Sequence, residues 1–99
     1  MRMLKVYWKD IEVAELSMNL QNKFEYALII PNLRKAKLEG LQVGTLLNTP
    51  FNGSFPEWVI DRVPKRIINK GEKDMFEWLA ETGGRLQTDK FSFIEEEIA

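Results

Sequence analysis

The chain has 99 residues, 44% apolar and 29% charged, which is the balance of one globular domain and leaves no room for a second independently folded core. Fourteen Lys and Arg stand against 15 Asp and Glu, a formal charge of −1, so no overall field draws the chain to nucleic acid or anionic lipid. The sequence holds no Cys and no His, which excludes disulfides, thiolate nucleophiles, imidazole bases and most zinc sites together.

From the N-terminus, charge and aromatics arrive before any apolar run long enough for a signal peptide or a membrane helix, so the expected location is cytoplasmic. Leu4 to Trp8 alternates and is rich in strand formers, and Ile11 to Leu16 alternates again after the polar pair Lys9-Asp10, a pattern that predicts a β-hairpin. A second turn at Asn19 to Asn22 leads into Phe24 to Ile30, whose even positions are all apolar, which extends the hairpin to a three-strand meander. Pro31 is expected to end that strand and Asn32 to cap a short helix through Leu38, with Gly40 in the left-handed position that closes it. Leu41 to Leu47 offers a further strand, interrupted by Gly44. No linker or internal repeat divides the chain, the loosest stretch being Asn48 to Ser54.

Ser54-Phe55-Pro56-Glu57 reads as a capping box at a helix start, with Ser and Glu three apart and Pro56 in the first turn. At 100° per residue, Phe55, Val59, Ile60, Val63 and Ile67 share one face and Trp58 lies at its edge, while Pro64 restarts the helix. Gly71 opens another helix that Gly83-Gly84 closes, with Met75, Phe76, Leu79 and Ala80 inward and Trp78 pointing the other way. Phe91 to Ile94 reads as a last strand before an acidic tail, Glu95-Glu96-Glu97, expected as a solvated end. The expected fold class is α+β: a small antiparallel sheet of about four to five strands packed with two to three helices, one domain over 1–99.

Little here suggests chemistry. Glu12, Glu15, Asp61 and Asp74 supply carboxylates, but no spacing selects a pair for acid–base work. No loop has the oxygen spacing of a calcium site, and the glycines form neither GxGxxG nor GxxxxGK[ST], so no metal and no cofactor is expected. Arg62, Lys65, Arg66 and Lys70 make the one basic cluster, read as a solvated helix face rather than a nucleic-acid contact. Trp8 shares a strand face with Leu4 and Val6 and belongs to the core, whereas Trp58 and Trp78 are harder to bury and are candidates for partner contact.

The order of these elements resembles the N-terminal subdomain of HipA-like toxins. Val6-Tyr7-Trp8, Val13 to Leu16 and Phe24-Glu25-Tyr26 are similar to the three opening strands of that family. Phe55 to Ile60, Arg66-Ile67, Gly71, Asp74 to Leu79, Gly83 and Phe91-Ser92-Phe93 resemble its later blocks, and the likeness spans nearly the whole chain. Two departures stand out: Asp61-Arg62 where the family tends to have Pro-Glu, and Asp89-Lys90 near its Gly-Ala. The kinase body that follows the subdomain in HipA proteins is missing from the sequence. The resemblance therefore implies a HipS-like component of a split HipBST toxin–antitoxin system, in which the small protein binds a HipA/HipT-like serine/threonine kinase toxin and a HipB-like protein binds DNA. By analogy an exposed aromatic reaches toward the kinase active site, and Trp58 is the residue expected to make that contact, with Phe51 and Phe55 completing the anchor and Trp78 a further partner-binding candidate; no catalytic residues are expected. Two alternatives stay open: a structural subunit that completes or stabilises such a kinase, and a nucleic-acid adaptor working through the basic cluster.

Overall fold

The computed structural model describes residues 1–86 and 89–97. Four strands form one antiparallel sheet in the order β3-β2-β1-β6, built from β1 (Arg2–Trp8), β2 (Ile11–Met18), β3 (Phe24–Leu28) and β6 (Phe91–Glu97). The meander is as expected, with Leu4 opposite Leu16 and Leu16 opposite Tyr26. Its second turn is tied by the Asn19 carboxamide, whose Oδ1 accepts the amides of Gln21 at 2.8 Å and Lys23 at 3.0 Å. Alternation along β2 breaks where the register shifts between Val6 and Tyr7, so that Val13 and Ala14 are both fully buried in succession.

Beyond the meander the chain differs from the expectation in four places. β3 ends at Leu28, and Pro31 lies inside the first turn of α1 (Ile30–Leu38), where its missing N–H leaves no helical bond unmade. Asn32 is thus not the cap; its side-chain amide donates instead to the Glu12 carbonyl at 2.8 Å and ties α1 to β2, while Leu33 and Ala36 fill the space between them. Leu41 to Leu47 is no strand. Leu41 and Leu46 are buried from a loop and from the single turn α2 (Gly44–Leu47).

The capping box does not form. Phe51–Asn52 (β4) pairs with Phe55–Pro56 (β5) across a turn at Gly53, whose φ of +69° suits glycine, and this pairing holds Ser54 outside the helix. The Ser54 amide donates to the Glu72 carboxylate at 2.8 Å instead, and Pro56 caps α3 (Glu57–Ile60) without a side-chain bond. Pro64 restarts the helix as α4 (Lys65–Ile68), and Phe55, Val59, Val63 and Ile67 are buried along the expected face. The helix α5 (Glu72–Thr82) runs from Gly71 to Gly83, the latter left-handed at φ +77°, and buries Met75, Phe76 and Leu79. These side chains and Leu4, Val6, Leu16 and Phe93 of the sheet make one core.

The acidic run is not a loose end but part of a strand. β6 runs through Glu97 beside β1, and the Glu95 carboxylate takes both Nε and Nη2 of Arg2, at 2.6 and 2.8 Å, while Arg2 also reaches Glu77 on α5. Glu96 pairs with Lys5 at 2.9 Å. The first and last strands are therefore joined by charge as well as by the ladder. The bond from Arg2 holds the Glu95 carboxyl below its ordinary value of 4.5. A depressed carboxyl stabilises the fold above its unfolded pKa, and that contribution is lost as pH falls through the folded value. Acid titration of the thermal midpoint should show this loss below about pH 4.5; Glu95→Gln should remove part of the acid dependence and lower stability at pH 7 by roughly 1 kcal/mol or less, since the pair is partly solvated.

Candidate interaction surface

Trp58 does not stand at a rim. α3 turns its indole inward, where 9% remains exposed, and the ring packs on Phe91 and Phe93 of β6 with centroids 4.8 and 5.9 Å away. Its N–H donates to the Tyr26 hydroxyl at 3.2 Å, which satisfies the one polar atom of a buried indole. Burial in turn pushes the Tyr26 phenol up to about 12, so the hydroxyl stays protonated and neutral at physiological pH. Phe55 is fully buried against Phe24, with centroids 5.3 Å apart. Neither residue is free to reach a partner, and the expectation that they form an exposed anchor is corrected. Trp78 is half-buried against the core.

Phe51 is the exception. It is 54% exposed, yet its ring meets the edge of Tyr26 at a centroid distance of 5.8 Å and an angle of 69°. Between Gly40 and Trp58, Leu47 is the other large apolar side chain left exposed. Of the four aromatics expected at a partner surface, the structure thus presents Phe51, withdraws Phe55 into the core and places Trp58 beneath Tyr26 as support for Phe51.

That support ends on a residue placed by sequence pattern in a solvated basic face. Arg62 is buried, 6% exposed, and its guanidinium lies 5.3 to 5.6 Å from the ring centres of Trp58, Phe91 and Phe93. Nη1 donates to the Gly84 carbonyl at 2.5 Å and Nη2 to Asp89 Oδ2 at 2.6 Å, while Nε has no partner among the described residues. The other oxygen of Asp89 accepts the Phe91 amide at 3.1 Å. Arg62 and Asp89, 27 residues apart, are each other's partners. The basic cluster loses its first member, leaving Lys65, Arg66 and Lys70 exposed.

The carboxylates resolve differently. Glu12 and Glu15 come together on the outer face of the sheet, where burial first and the neighbouring Glu15 carboxylate next raise the Glu12 carboxyl against the pull of Lys5, 3.6 Å away. Asp61 and Asp74 lie exposed elsewhere. Among the described residues no three carboxylates gather into a metal-ligand set, and no helix is long and apolar enough to cross a membrane.

Comparison with protein-family models, with curated proteins and with solved structures finds no significant match. Fold and site define the class on their own: a small α+β domain that presents one exposed aromatic side chain on a file of buried and half-buried rings. The file is testable at its middle. Tyr26→Phe keeps the rings and orphans the Trp58 N–H, so chemical denaturation should show a loss of about 1–3 kcal/mol.

Proposed function

We propose that this chain is a non-catalytic interaction module, an antitoxin-type subunit that binds and inhibits a HipA/HipT-like serine/threonine kinase toxin, with Phe51 as the anchor. The observation that carries the reading is an exposed aromatic ring seated on a neighbouring ring of the fold. Phe51 leans on Tyr26, Tyr26 is held by the Trp58 N–H, and Trp58 is packed on Phe91 and Phe93. A side chain ordered before binding loses little entropy on binding, and aromatic anchors of this kind dominate interface energetics. The order of sequence motifs supports the partner class, and the cytoplasm is where such a kinase would be met. Inhibition is by occlusion: the anchor and its neighbours fill the kinase cleft and no bond is made or broken. Arg62, committed to Gly84 and Asp89, is withdrawn from any phosphate contact, which weakens the nucleic-acid alternative.

Co-expression with a HipT-like kinase should rescue growth, whereas improved kinase solubility with unchanged toxicity would mean a structural subunit. Phe51→Ala should weaken the complex about 30-fold, the equivalent of about 2 kcal/mol, without changing the thermal midpoint by more than a degree or two. Trp58→Ala should instead lower the stability of the free protein by about 3–5 kcal/mol. An unchanged dissociation constant for Phe51→Ala would remove Phe51 as the anchor.

A further inference from the structure

The two edges of the four-stranded sheet are finished differently. At the β6 edge the Phe93 amide donates to the Gly83 carbonyl at 2.8 Å and the Phe91 amide to the Asp89 carboxylate, so the outward backbone donors at the start of β6 are taken up within the fold. At the β3 edge they are not.

Two bonds fix which groups of β3 face outward. Asn19 N–H donates to the Lys23 carbonyl and Ile29 N–H to the Val13 carbonyl, each at 2.9 Å. In an antiparallel ladder hydrogen-bonded pairs alternate with non-bonded ones, so Ser17–Glu25 and Glu15–Ala27 are the bonded pairs between them. Phe24, Tyr26 and Leu28 therefore turn their N–H and C=O groups away from β2, and among the described residues none of these groups has a backbone partner. Such a row is a template for another strand. The centre of the row is Tyr26, the residue on which Phe51 rests.

We infer that the partner is held by strand addition: an extended segment of the kinase pairs with Phe24–Leu28 as a fifth strand, beside the Phe51 ring. The inference rests on the function proposed above and supplies its docking mode. Donors and acceptors alternating at strand spacing are complemented by an extended backbone, the mode in which main-chain bonds give affinity and alternate side chains give specificity. The side chains of such a segment divide between two surroundings. On the inner face they meet Tyr26 and Phe51 and are apolar. On the outer face they lie beside Glu25, exposed on β3, with Glu15 on the neighbouring strand, and are basic. A second copy of this chain fits less well, because it would bring a second Glu25 and Glu15 to the same outer face.

Hydrogen exchange on the ¹⁵N-labelled protein, with and without a purified HipT-like kinase, tests this. In the free protein the amides of Phe24, Tyr26 and Leu28 should exchange fast, while those of Glu25 and Ala27 are protected by β2. On complex formation the first three should slow about tenfold or more and the other two should change little. A complex that forms and depends on Phe51, yet leaves these three amides exchanging as in the free protein, overturns strand addition and leaves the proposed function intact. Failure to form any complex overturns both. The same protection without kinase, together with a doubled mass in solution, overturns the inference in favour of self-pairing.

Discussion

A guanidinium buried under three aromatic rings is the contact on which the rest of this small domain depends. Taking Arg62 out of water costs several kcal/mol, and the fold offsets this with the Asp89 carboxylate, the Gly84 carbonyl and the faces of Trp58, Phe91 and Phe93. These partners come from separate parts of the chain: α3, the turn after α5, the loop before β6 and β6 itself. The carbonyl can approach because residue 84 has no side chain. A Cβ there would lie 2.7 Å from Phe93 and 2.8 Å from Leu79, and φ is +57°. One arginine thereby fixes where the last strand sits relative to the helices.

From that point order is passed along rings. Arg62 and β6 hold Trp58, the Trp58 N–H holds Tyr26, and Tyr26 holds Phe51 at the surface. Function, on this account, belongs to the far end of the file and to the open edge of β3 beside it, while the residues most conspicuous in the sequence serve as the frame. The Arg2–Glu95 bond does for the first and last strands what Arg62 does for the interior: it joins chain ends that are 93 residues apart.

Much of the fold was legible in the sequence because it is local. Alternation marked the three strands of the meander, Asn19 marked its second turn, and Gly71 and Gly83 bounded α5 where helix geometry requires them. What was illegible depends on partners far away in sequence. The β4–β5 pairing displaced the capping box at Ser54, and its substitute ligand, Glu72, lies 18 residues on. Trp58 reads as a rim residue on a helical wheel, since the wheel cannot show Phe91 and Phe93 arriving more than 30 positions later to cover it. Arg62 reads as a surface charge for the same reason, its counter-ion being Asp89. Phe51 was named among the expected contacts, but its isolation as the exposed member became visible only once the other rings had been placed.

The central claim is that Arg62 and Asp89 act as one unit, and a double-mutant cycle measures this most directly. Arg62→Met, Asp89→Asn and the double variant would be unfolded chemically at pH 7. Each single change leaves one member of the pair without its partner, so each should be costly, and the double change should cost less than the sum by about 1–3 kcal/mol. Losses that simply add would show that the two charges are independent, and would contradict the account.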